Sequence, residues 1–231
     1  MAVTTISYRT LLFPELYPHH RGWASQAITQ MNGRQLNGRQ LKALSIVHPR
    51  GRRMPDFLTP LPSRPTETVE GEIRSLTQAS VEDLRTDADI ARRAAHHPAD
   101  AAHISQFVEQ VAAMRDHLTD DIWHYWEQVI RPAWREIEAI LEGDILFRTQ
   151  QMGKFGIDYM LANLAADVTF RDELLLITAN TEARTTLSGQ GLVLCPNPFA
   201  DYTWFQRVGR YVYYVLSQRG RDLIRLFEQP Y

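Results

Sequence analysis

His117, Asp121 and His124 stand four and then three residues apart. On one continuous helix that spacing puts all three side chains on one face, and two imidazoles with a carboxylate make a known metal-ligand set. A helix break expected near Thr119 separates them, so no metal site is assigned. Asp56 sits between Pro55 and Phe57 in a proline-rich stretch. A carboxylate held there can face a pocket as a ligand contact or general base, or it can cap a backbone turn; the residues leave both open. Trp123, Tyr125, Trp126 and Trp134 cluster in one segment. They can wall an apolar pocket between helices or simply fill a core. Tyr125 falls off the helical stripe and is expected to be the free one. The candidate ligand-binding set is therefore Asp56, Phe57, Trp123, Tyr125 and Trp126. The adjacent pairs His19–His20 and His96–His97, with His103, read as surface histidines, because neighbouring side chains diverge. Cys195 has no histidine near it in sequence, which argues against a nucleophile. Gly-rich phosphate loops, Gly-x-Ser-x-Gly elbows and His-Glu-x-x-His motifs do not occur. No catalytic residue is assigned, no cofactor is implied, and whether the chain is an enzyme stays open.

The C-terminal stretch carries a second kind of chemistry. Arg207-Val208-Gly209-Arg210 precedes the β-rich run Tyr211 to Leu216, and Arg219-Gly220-Arg221 precedes an apolar-periodic run to Phe227. A turn, a strand, a second turn and a short helix is how the wing of a winged helix closes. Arg207, Arg210 and Arg219 are the candidate DNA contacts. They would hold phosphates, which gives affinity without base selection. The plainer reading is a solvated edge strand whose arginines keep it from pairing.

Composition bounds these options. A chain of 231 residues is long enough to bury a real core, and 44% apolar with 23% charged residues is ordinary globular composition. The net charge of −2 gives the chain as a whole no pull on nucleic acid or anionic membrane. A single cysteine excludes an internal disulfide and a Cys-rich zinc site. No apolar run reaches the length of a membrane span, and the first residues lack a basic segment followed by an apolar one. A cytoplasmic protein without a membrane partner is the expectation.

The elements that must position these residues read as α+β: a mainly helical body, a small antiparallel sheet, and a C-terminal wing-like strand plus helix. The first part is punctuated by Pro14, Pro18 and Gly22 and reads as irregular, followed by a short helix over 23–31. Asn32 to Leu36 is echoed by Asn37 to Leu41, a local duplication. A short helix or strand covers 41–47. Residues 49–65 hold five prolines among apolar residues, which predicts a stiff loop packed on the core. Thr66, Val69, Ile73 and Leu76 mark one helix, Ser80 caps the next, and Pro98 opens a third whose apolar stripe runs from Ile104 to Leu118. Thr119 or Asp120 is expected to cap a fourth, with Pro132 kinking or restarting it. Gly153 and Gly156 allow a turn before a helix over 157–164. The period then becomes that of strands, over 168–170, 173–178, 185–187 and 191–195.

Three stretches carry a resemblance: Arg53-Met54-Pro55-Asp56-Phe57-Leu58-Thr59-Pro60-Leu61-Pro62; Tyr125-Trp126 followed by Leu141 to Arg148; and Leu187 to Pro196. In that order and spacing the chain resembles ArsR-like transcription regulators of actinobacteria that carry a long N-terminal domain. In that family a complete winged helix follows the long domain. The resemblance implies a body over 1–198 that binds a ligand or dimerises, and a remnant winged-helix segment over 199–231. Two departures stand out. The helical segment before Trp23 is abbreviated. Between Pro198 and Arg207 the chain has only Phe199 to Gln206, and eight helical residues rise about 12 Å, too little for two helices and a turn.

The first expectation is therefore a divergent ArsR-like regulator whose large domain binds a small molecule or forms a homodimer, with DNA contact weak or absent. The alternative is a former regulator turned enzyme or carrier for a hydrophobic metabolite, with acid–base chemistry of the cyclase or isomerase type supported by Asp56, His117 or His124. A third is a pure interaction module whose tail strand pairs across a two-fold axis.

Overall fold

The computed structural model describes residues 1–33, 41–50, 54–60, 68–95, 97–165, 168–177 and 192–200, and the backbone of 204–208 and 211–216. It is an α+β fold, mainly helical, with small sheets. The chain forms two compact units, residues 1–16 with 24–132 and residues 17–23 with 133–231. Residues 192–196 pair with 212–216.

The first unit is built around a helix where the sequence predicts irregular chain. α1 (Ala2–Leu12) is buried at seven successive residues, Thr4 to Thr10. Threonine and serine are poor helix formers because their hydroxyls compete for the backbone. Here the hydroxyls bond back into the helix: Ser7 Oγ donates to Thr4 O at 2.8 Å and Thr10 Oγ1 to Ser7 O at 2.7 Å. Thr5 Oγ1 instead reaches Leu58 O at 2.8 Å and so ties α1 to the proline loop. That loop packs inward as expected where it is described, with Leu58 fully buried in a short 3-10 turn over Asp56–Leu58.

α2 (Arg21–Gly33) and α3 (Lys42–Ile46) follow. The residues 34–40 of the local duplication lie outside the described ones. α4 (Val69–Gln78) and α5 (Val81–Arg93) carry side-chain caps: Thr68 accepts from Gly71 N, and Ser80 accepts from Asp83 N as its motif predicts. α6 (Pro98–Glu109) ends at Gln110, and α7 (Val111–Tyr125) then runs unbroken through Thr119. The break thus falls nine residues earlier than expected. The periodicity conceals it, because Ile104, Phe107, Val111 and Leu118 are all buried on both sides of the bend. The bend lets α6 lie on α5 while α7 packs against α1, α3 and α4. A π turn over Trp126–Ile130 and a 3-10 turn over Arg131–Ala133 follow. Pro132 has no N–H to give and its ring crowds the preceding turn, so the helix widens and restarts, as its position predicts.

The second unit opens with α8 (Trp134–Phe155), which stops at Gly156 with φ of 88°, and α9 (Ile157–Ala162) turns back on it. Arg148 fastens that turn. Its guanidinium donates to Asn163 O at 2.5 Å and Leu164 O at 2.7 Å, satisfying carbonyls at the end of α9, while Asp144 lies 3.7 Å away. β1 (Val168–Arg171) and β2 (Leu174–Ile177) form an antiparallel hairpin in which Asp172 and Glu173 both have positive φ, the backbone of a tight hairpin turn. Met160, Leu164, Ala165 and Val168 form its core.

β3 (Leu192–Pro196), β4 (Trp204–Val208) and β5 (Tyr211–Leu216) make a second sheet in the order β3-β5-β4. It corrects two readings. Residues 192–196 do not join the first hairpin, and β3 runs parallel to β5 while β4 runs antiparallel to it. The segment weighed above as a short helix before Arg207 contributes strand β4. The expected strand over 185–187 and the tail helix beyond Gly220 lie outside the described residues. Phe199, after β3, meets the ring of Trp23 in the first turn of α2 at 4.8 Å and that of His20, in the 3-10 turn before it, at 5.8 Å.

Replacing Arg148 with leucine strips the end of α9 of these bonds and leaves Asp144 buried without its cation. Bonds from a charged donor contribute roughly 1.5–3 kcal/mol each, so Arg148→Leu should lower the unfolding free energy by about 3 kcal/mol in a urea titration. An unchanged midpoint would refute this role.

Candidate functional site

The first unit holds a polar cluster in its interior. Tyr8 on α1 is buried, and its hydroxyl lies 2.7 Å from Ser45 Oγ on α3. Its ring meets Tyr125 edge-on at 5.1 Å and His48 at 5.5 Å. On the preceding residue, Ser7 Oγ lies 3.2 Å from the Tyr125 hydroxyl and accepts from it, its own proton being given to Thr4 O. Asp121 on α7 accepts from the backbone of Ala43 at 2.8 Å and Leu44 at 3.1 Å. It therefore caps a five-residue helix that has no cap of its own, from 77 and 78 positions away. Arg9, also buried, donates to Arg50 O at 3.1 Å.

His48 is the most constrained member. Nδ1 lies 2.7 Å from Leu44 O and Nε2 lies 2.9 Å from Thr5 O. Two carbonyls would suit a doubly protonated ring, since a neutral imidazole can donate only once. Burial opposes this, and the nearby Arg9 guanidinium adds to it, so the pKa is pushed down to about 4 despite the carbonyls. The Tyr8 phenol is pushed up to about 12, chiefly by burial. Tyr8, Arg9, His48, Asp121 and Tyr125 are buried and Ser45 is half-buried. What it does in this state is hold α1, α3 and α7 together.

The sequence-derived candidates distribute as follows. Tyr125, expected to be free, is 1% exposed and is among the largest fully buried side chains. Its place off the tryptophan stripe turns it towards Ser7 and Tyr8 of α1. Trp126 is buried and Trp123 half-buried. Asp56 and Phe57 are half-buried at the 3-10 turn, where Asp87 on α5 accepts from Phe57 N at 2.8 Å and the Phe57 ring stacks on Phe107 at 5.4 Å. The structure thus takes Phe57 to α5 and α6 and Tyr125 to α1.

His117, Asp121 and His124 do share the continuous α7, contrary to the expected break. Asp121 is turned inward to α3, His117 is exposed, and His124 Nδ1 contacts Asp120 O at 2.6 Å. Among the described residues no group of three or more histidine, cysteine or acidic side chains is placed to hold a metal ion. Also among them, no helix is long and apolar enough to cross a membrane. Arg207 lies in β4, while Arg210 and Arg219 fall outside the described residues. His48, Tyr8, Asp87 and Asp121's capping role escaped the sequence reading. No local signal marks them, because their partners lie 30 to 78 residues away.

No family model, curated protein or solved structure matches the chain.

The His48 pKa has a consequence for stability. A folded value near 4 against an ordinary 6.5 means that the folded protein favours the neutral ring. That contribution is complete above about pH 6.5 and is lost as pH falls towards 4; at 1.36 kcal/mol per unit it amounts to about 3 kcal/mol. Urea unfolding at pH 7 and pH 4.5 should show a smaller pH difference in His48→Leu than in the parent chain. An identical difference would show that His48 does not titrate with folding. Asp121→Ala should cost about 2 kcal/mol at neutral pH, because it leaves two buried backbone donors unpaired, and Asp121→Asn should recover part of it.

Proposed function

We propose that the chain is a divergent relative of the ArsR-like regulators. The helical portion is the body that binds a small molecule or a second copy, and the β4–β5 hairpin is a wing that touches phosphates without reading bases. The hairpin carries this reading. Val208 pairs with Tyr211, which leaves Gly209 and Arg210 as the connection, and Arg207 lies in β4. Only residues 197–203 separate β3 from β4, and 197–200 hold a turn in which Asn197 Oδ1 accepts from Phe199 N. A helix-turn-helix does not fit there. A free two-stranded ribbon can enter a major groove, but β5 is flanked on both sides by β3 and β4. Its residues are tyrosine, valine and leucine, whereas base edges are read chiefly by arginine, lysine, asparagine and glutamine.

Fluorescence anisotropy with two unrelated duplexes tests this. Both should bind equally and weakly. If Arg207, Arg210 and Arg219 each hold one phosphate, affinity should fall about 40-fold between about 50 and 200 mM salt. Their joint replacement by alanine should abolish most of that dependence. Tight selection of one duplex, or no binding at low salt, would sink the proposal.

A further inference from the structure

Leu141, Ile145, Met152 and Phe155 of α8 are spaced four, seven and three apart, which keeps them on one face of the helix. Arg148 falls within the same spacing but turns to the carbonyls of Asn163 and Leu164 at the end of α9. Leu141 is half-buried, whereas Ile145, Met152 and Phe155 are 54%, 43% and 53% exposed. The Phe155 ring extends the face to Tyr159 of α9, with centroids 4.7 Å apart. Single exposed apolar residues need no explanation, but a joined set marks an interaction surface.

The same unit holds a segment that fits it. Residues 217–231 follow β5. Read at the helical period, Leu223, Ile224, Leu226 and Phe227 fall on one side and Arg221, Asp222, Arg225 and Glu228 on the other. So short an amphipathic helix is not stable alone in water and needs an apolar surface to lie on. The surface is within reach. Leu216, the last residue of β5, pairs with Pro196 of β3, and β3 packs on α8 while its Leu194 packs on the core beneath α9. Ser217 to Gly220, fully extended, span about 13 Å.

Charge supplies a second match. Glu138 and Glu142, both exposed, stand one turn apart on α8 and flank Leu141 and Ile145. Arg221 and Arg225 stand at the same four-residue spacing on the polar side of the tail segment.

We propose that residues 221–228 form a helix that lies on this face of α8 within the same chain, with Arg221 and Arg225 against Glu138 and Glu142. This goes beyond the wing reading and does not rest on it. Hydrogen exchange of the full chain, read by mass spectrometry over 221–228, should show amides protected at least tenfold relative to an unfolded chain, at every protein concentration. Ile145→Asp and Met152→Asp should each remove most of that protection while the amides of α1 exchange as in the parent. Glu138→Arg with Glu142→Arg should weaken it, and adding Arg221→Glu with Arg225→Glu should restore it. An unprotected segment, or protection indifferent to Ile145→Asp and Met152→Asp, overturns the proposal. Protection that grows with protein concentration gives the face to a second copy and overturns it equally. Failure of the reversed charges to rescue overturns the pairing of Arg221 and Arg225 with Glu138 and Glu142.

Discussion

Burying α1 on every side forces the organisation of the first unit. A helix with three threonines, a serine, a tyrosine and an arginine is costly to take out of water unless most of its polar atoms find partners. Ser7 and Thr10 satisfy themselves within the helix, Thr5 reaches the proline loop, and Tyr8 and Ser7 reach Ser45 and Tyr125. Each partner is thereby assigned a position: Leu58 must come inward, α3 must lie alongside, and α7 must present Tyr125 rather than a tryptophan. Asp121 and His48 complete the arrangement by fixing both ends of α3.

This explains why the aromatic segment is not assembled as the tryptophan stripe suggests. Tyr125 is spent on α1. Phe57 is held at α5 and α6 by Asp87 and Phe107. The groups with acid–base potential, His48 and Tyr8, are shifted by burial away from the values useful near neutral pH. The physical weight of the first unit goes into holding helices in place, and its chemistry is that of internal capping.

The second unit solves a smaller problem with less material. Arg148 replaces a missing cap on α9, and a hairpin with left-handed Asp172 and Glu173 closes over Met160 and Leu164. The cost of this economy is a long helix whose covered face is spent on ion pairing and whose apolar residues face out. In the second sheet β5 lies between β3, to which it runs parallel, and β4, to which it runs antiparallel.

The chain by itself determined what depends on neighbours a few residues away: the Ser80 cap, the restart after Pro132, the stop at Gly156, the turn between β1 and β2, and the shift from helical to strand period near residue 165. Tertiary structure alone decided the existence of α1, the bend at Gln110, the burial of Tyr125, the cap that Asp121 lends α3 and the parallel partner of β3. The reason is one of range. A cap or a proline acts on the hydrogen bonds of its own turn, whereas a hydroxyl-rich helix is stable only when distant elements surround it, and periodicity is blind to a bend whose two arms bury the same stripe.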